Sequence, residues 1–257
     1  MRGRRVLLAV LAAGVLVPAV TSAGPQGFAP KWRVGDWWIV KSRMGSLAGH
    51  GQRQWQYDRY DVLSMDKIGG RRCYVLQQGM TESPGSGPRK LYYLRADDFR
   101  IVRKVEYFRQ AGKLVGPCTS DFPEETAGPD PGELLPLFPL RSATAQDSAF
   151  RHYVKGGYLR QVSGPADSAL LRNCLNDPDT SRGHSVQPRG GRMYSVLCES
   201  GTPRDSATVA YVYSLQLWST DYPWRVYEEW GQYTPPGSSS RQSNCRSWLI
   251  AVGHTEK

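Results

Sequence analysis

The sequence predicts a mainly β protein: a curved antiparallel sheet or half-open β-barrel with few short helices. Three observations carry this. Apolar and polar residues alternate with period two over residues 209–217, so Val209, Tyr211, Tyr213, Leu215 and Leu217 share one face. Such alternation is the mark of a half-buried strand. Paired runs recur around turn residues, as in "WQYDRYDVLSM" and "RRCYVLQQGM" on either side of "DKIGG". Helical periodicity is scarce; "PADSALLRN" is the best short helix, with Pro165 near its start.

The chain opens with Arg2, Arg4 and Arg5, an uncharged apolar run over residues 6–20, and small residues at Thr21, Ser22 and Ala23. A run of about 15 residues is short for a membrane helix, which needs roughly 20. Residues 1–23 therefore read as a signal peptide cleaved after Ala23. The expected location is exported, periplasmic or extracellular, with no integral span after cleavage. Cleavage lowers the net charge from +10 to +7. The arginines are scattered among carboxylates, which suits a basic surface near anionic envelope components and not a nucleic-acid site.

"WRVGDWW" comes first in the mature chain, with Gly35 and Asp36 as a turn. In the strand that follows, Trp37 and Ile39 share one face and Trp38 and Val40 the other. Both faces are apolar, which predicts a strand covered on both sides. The pair flanking "DKIGG" continues into a strand over residues 90–94, a "RADD" turn and a return strand over 99–107. Residues 116–147 are dense in proline, glycine and carboxylates (Asp121, Glu124, Glu125, Asp130, Glu133) and read as an irregular acidic connection. The expected organisation is one β-rich domain over 24–257, divisible into 24–115 and 148–257. Within the connection, "ELLPLFPL" has Pro136 and Pro139 inside it, so it packs as an extended segment and not as a helix. After residues 209–217, "STDYP" makes a turn, and Trp224, Val226 and Trp230 continue on a partner strand that Glu228 interrupts. Residues 94–107 overlay 217–230 without gaps, matching Leu94 with Leu217, Asp98 with Asp221 and Glu106 with Glu229. A closing strand covers 248–252.

Five cysteines follow the leader. In an oxidising compartment they are expected to pair. Cys174 and Cys198 flank a loop poor in apolar residues, and bridging them would contribute about 3.5 kcal/mol in the chain-entropy model. The pairing of Cys73, Cys118 and Cys245 is left open. Cysteine and histidine spacing does not fit a zinc site.

No nucleophile elbow, metal-binding histidine pair, phosphate-cradling glycine loop or dinucleotide fingerprint occurs, so no catalytic residue, metal or cofactor is expected. A hydrolase with dispersed residues would need His152 or His184 beside a serine and a carboxylate. "NDPDT" at residues 176–180 reads as a turn before it reads as a cation site. The aromatic residues are the remaining signal. Trp37, Trp38, Trp55, Tyr57, Tyr211, Tyr213 and Trp224 are the candidate lining of a ligand cavity, against the plainer reading that they pack the core.

The order "W-x-V-G-D-x-W", "LYYLRADDFRIVRKVEY" and "LLPLFPL" resembles exported bacterial envelope proteins of the lipoprotein-carrier class, the LolA and RseB kind. The resemblance implies a half-barrel around short helices with acyl chains on its concave face. The expected function is a non-enzymatic envelope binding module for an apolar or lipid-like ligand. An interaction protein with a filled core, docking on an envelope partner, is the alternative.

Overall fold

A computed structural model describes residues 27–45, 54–81, 87–122, 135–140, 147–152, 158–177, 183–204, 207–234 and 239–256. The signal-peptide expectation, most of the acidic connection and His50 lie outside them.

The strands are β1 (Asp36–Met44), β2 (Gln54–Ile68), β3 (Arg71–Met80), β4 (Arg89–Arg95), β5 (Ile101–Gln110) and β6 (Lys113–Asp121), followed by β7 (Asp147–His152), β8 (Tyr158–Pro165), β9 (Met193–Arg204), β10 (Ala207–Ser219), β11 (Tyr227–Tyr233) and β12 (Arg241–His254). One helix, α1 (Ser168–Leu175), lies between β8 and β9 among the described residues. All twelve strands form one antiparallel sheet ordered β6-β5-β4-β3-β2-β1-β12-β11-β10-β9-β8-β7, open at β6 and β7. Each half is a six-strand meander, and the two meet where β1 pairs with β12. The hairpins β4–β5 and β10–β11, which the sequence overlay aligns, sit six places apart in this order.

The sheet curls tightly. Phe99, in the turn before β5, lies 5.4 Å from the Phe138 ring, and Trp218 of β10 lies 5.1 Å from the same ring. Six strand spacings separate β4 from β10. On a flat sheet that is roughly 29 Å. Rings this close require the two halves to fold toward each other as an open trough, as the half-barrel expectation has it.

Local chemistry explains the turns. Gly69 and Gly70 join β2 to β3 with φ of 56° and 79°. Positive φ at both turn positions matches the twist of a tight hairpin and favours glycine. The expected five-residue turn is thus shortened to two. Gly35 (φ 97°) leads into β1, and a Cβ there would meet the Thr255 carbonyl oxygen at 2.3 Å. Both conformation and space exclude a side chain at that point.

Some boundaries differ from expectation. Residues 116–121 belong to β6 instead of an irregular connection. Trp224 and Val226 precede β11 in a bend, where both are buried. Helix α1 begins after Pro165, at the Asp167 cap, whose carboxylate accepts from Leu170 N at 2.7 Å. Residues 135–140 are not helical and are mostly buried, with Phe138 against Phe99 and Trp218 and Leu140 bridging Phe28.

The cysteine expectation is corrected. All five cysteines are free thiols, and Cys174 and Cys198 are not bridged. Cys174 lies on α1 against the outer face, while Cys198 lies on β9 near Gln161 on the inner one. Burial in the core holds them, pushing the Cys174 thiol up to about 11 and Cys198 to about 12. The ordering a staple would have supplied to the 174–198 stretch comes from packing. Trp248 Nε1 donates to the Cys174 carbonyl at 3.0 Å, and Val186 N donates to Leu249 O at 2.8 Å.

Candidate functional site

The trough has two unlike ends. One end is filled by the chain's own aromatic rings. Trp38 and Trp224 stack at 5.0 Å, Trp32 lies 5.2 Å from Trp38, and Phe138 wedges between Phe99 and Trp218. Trp32 is fixed by an Nε1 bond to the Pro223 carbonyl at 2.7 Å. The space left here is a recess of about 90 Å³ against Leu76, Leu94, Ile101 and Leu135. Ligand pockets run to roughly 300–1,000 Å³, so this recess holds no acyl chain.

The other end is polar. Strand register places Gln216, Glu228, Ser247, Ser42 and Gln56 side by side on β10, β11, β12, β1 and β2. This polar row crosses the inner face of the trough. Above it opens a cleft of about 460 Å³, and Gln78 and Lys90 on one arm of the sheet face Val212 and Trp230 on the other. Tyr60, Gln78, Lys90 and Arg225 line both cleft and recess, so the two adjoin.

Burying polar groups is costly unless they are bonded, and here they bond to one another. Ser214 Oγ donates to Glu228 at 2.9 Å, Gln216 Nε2 donates to Ser214 Oγ at 3.0 Å, and Trp218 Nε1 donates to Gln216 at 2.9 Å. Ser42 and Ser247 share a hydroxyl bond at 2.9 Å. Arg225 pairs with Glu228 at 2.7 Å. Asp58 accepts from Gln56 at 2.9 Å and from Gln78 at 3.3 Å. Burial holds the carboxyls of Glu228 and Asp58 above their ordinary values, outweighing Arg225 at the first and the glutamines at the second. The arrangement offers donors, acceptors and aromatic walls in one concavity. It has the parts to hold a polar ligand.

Of the seven candidate lining residues, the six whose side chains are described do not gather there. Trp38 packs the core, and Trp224 lines the recess. Trp37 lies on the outer face, across Gly253 and under the Arg59 guanidinium at 4.6 Å. Trp37 and Trp38 thus face opposite sides of β1 as expected, with Trp38 buried and Trp37 half-buried. Trp55 and Tyr57 share the outer face with Lys41, whose ammonium sits 5.0 Å from the Trp55 ring. Tyr213 donates to Glu229 at 2.9 Å on that face. Tyr211 belongs to β10, but its side chain lies outside the description. The polar residues that line the cleft were missed because Ser42 of β1, Gln56 and Asp58 of β2, Gln78 of β3, Lys90 of β4 and Ser247 of β12 come together only in the folded sheet; Glu228 alone stood out as an interruption.

The outer cover is α1 with the segment after it. Asp177, from the stretch read as a turn, forms an ion pair with Lys41 at 2.5 Å, both side chains being almost wholly buried. Residues 178–180 of that stretch lie outside the description.

His184 is exposed, and the neighbouring Ser185 is buried and donates to the Leu175 carbonyl. The side chain of His152 lies outside the description. His254, which sequence reasoning passed over, bonds Asp36 at 2.8 Å beside an open groove of about 750 Å³. Asp36 also accepts from Arg33 N, so the pair ties the turn before β1 to the end of β12.

No helix among the described residues is long and apolar enough to cross a membrane. No protein-family model and no curated protein matches the chain. Among solved structures, the chain is similar to a "putative lipoprotein" from Parabacteroides distasonis ATCC 8503, at 11% identity and a TM-score of 0.32, over 90% of this chain and 100% of that one.

Proposed function

We propose that the protein is an exported, non-enzymatic binding module of the cell envelope that takes a small polar ligand in the trough. The observation that supports this is the division of the inner face. Its aromatic end is filled by Trp32, Trp38, Trp224 and Phe138, whereas its polar end keeps a cleft of about 460 Å³. That volume falls inside the usual range for ligand pockets. An acyl chain laid over the polar row would desolvate it without new partners, so the lipid-like reading gives way to a polar ligand. The leader-like residues 1–23 support export. The lack of catalytic motifs motivates the non-enzymatic reading.

A thermal-shift screen of small polar metabolites, run beside a fluorescent fatty-acid probe, tests this. A binder present at a hundred times its Kd adds about 2.7 kcal/mol to stability. We expect polar compounds to raise the midpoint and the fatty-acid probe to stay unbound. Uptake of the probe at micromolar concentration would reverse the assignment. The filled aromatic end favours a second reading, an interaction protein that takes no small molecule; a screen in which nothing shifts the midpoint would support it.

A further inference from the structure

We infer that the cleft is built for a neutral, polyhydroxylated ligand of the saccharide class; this rests on the binding-module reading above. Four observations converge on it.

The charges of the lining balance. Asp58 and Glu228 face Lys90 and Arg225 around one cavity. A simple anion or cation would meet as many like charges as opposite ones, whereas a neutral ligand meets no net field. The uncharged groups match hydroxyls. Ser42, Gln56, Gln78 and Ser247 each carry both a donor and an acceptor, as every sugar hydroxyl does, and already bond within the lining, Ser42 to Ser247 and both glutamines to Asp58, in a network that a ligand's hydroxyls can join. Beside them stand two aromatic walls, the half-buried Trp230 on β11 and Tyr60 on β2. An aromatic face supplies apolar contact area for the C–H face of a sugar ring while its neighbours bond the hydroxyl edge. Finally, the indole N–H of Trp224 is buried and has no partner among the described residues, and Trp224 lines the recess next to the cleft. A buried donor left unbonded is unfavourable. An oxygen projecting from the cleft into the recess is the kind of acceptor it lacks.

The test uses the full mature chain on an array of immobilised neutral di- to tetrasaccharides, with hits titrated by calorimetry. Citrate, spermidine and palmitate are titrated in parallel as an anion, a cation and an acyl chain. We expect at least one saccharide to bind with an affinity that changes little between low and high salt. Trp230→Ala should weaken it about ten-fold or more, the scale of losing one aromatic stack. Gln78→Ala serves as a second variant, with the thermal midpoint of each confirming a folded protein. Saccharide binding indifferent to both folded variants overturns the placement in the cleft. Binding of citrate, spermidine or palmitate that both variants weaken, with no saccharide hit, overturns the ligand class but leaves the binding module standing. Silence in every arm overturns both.

Discussion

The Arg225 guanidinium lies 2.7 Å from the Glu228 carboxylate, with 8% and 4% of the two side chains exposed. A pair this deep is held against a large desolvation cost, and removing one partner strands the other. We expect Arg225→Met to cost about 3–5 kcal/mol at neutral pH, measured by urea unfolding. The cost should shrink at mildly acid pH. There the stranded Glu228 can take up a proton and stop being a buried charge. A cost equal at both pH values would show that Arg225 acts through packing alone.

Asp58 carries a related pH dependence. Burial raises its carboxyl above the ordinary 3.8, so the folded state binds the proton more tightly than the unfolded one. Its contribution to stability is then present below the unfolded value and is lost as pH rises through the folded one. Asp58→Asn removes this term. We expect the urea midpoint of the variant to fall less steeply than that of the wild type from about pH 4 upward. Parallel profiles would contradict the shift.

Trp37 and Trp38 are neighbours in sequence with unequal tasks. Trp38 is 0% exposed and stacks on Tyr60 and Trp224. Trp37 is half-buried under Arg59. Replacing a buried tryptophan by alanine costs about 3–5 kcal/mol, and we expect that of Trp38→Ala. Trp37→Ala loses a partly exposed cation–π contact, worth roughly 0.5–1 kcal/mol, plus some apolar area. Equilibrium unfolding of both variants checks the difference; equal losses would mean that both faces of β1 are equally dry.

These residues also mark how far the sequence could be read. The facing of Trp37 and Trp38 was legible because period two is local, and so was the hairpin at Gly69-Gly70. The curl was expected, but the contacts that set it were not, because they depend on Phe99 and Trp218 meeting through Phe138 across distant parts of the chain. The polar row was hidden for a similar reason. Ser42, Gln56, Gln216, Glu228 and Ser247 come from five strands, and only register aligns them. Aromatic residues drew the first guess at a cavity because they are the most conspicuous apolar surface. That same property draws them into the core, and the opening is left to the polar residues beside them.

Lys41 and Asp177 fasten the outer cover. The lysine side chain is 0% exposed, and Asp177 lies just beyond α1. Lys41→Met should cost about 3–5 kcal/mol by taking the ammonium away from the buried Asp177 carboxylate. The double change Lys41→Met with Asp177→Leu should recover most of the loss, because a well-packed apolar pair often replaces a buried ion pair at little cost. In the single variant, hydrogen exchange at the Val186 amide should quicken, since its bond to Leu249 O secures the same segment. An unchanged exchange rate would show that the cover holds without the ion pair.

The free thiols give the most direct check on the fold. Cys118 is exposed on the edge strand β6, and Cys73, Cys174, Cys198 and Cys245 are buried. Burial pushes the Cys245 thiol up to about 11 and raises Cys73 as well, so all four buried thiols stay protonated at mildly alkaline pH. The thiolate is the reactive form. At about pH 8, a chromogenic disulfide reagent should therefore modify Cys118 rapidly in the native protein and the others only slowly. In denaturant without reductant, all five should react. A bridge between Cys174 and Cys198 would leave three reactive thiols in denaturant, and that count would restore the staple and require α1 to sit closer to β9.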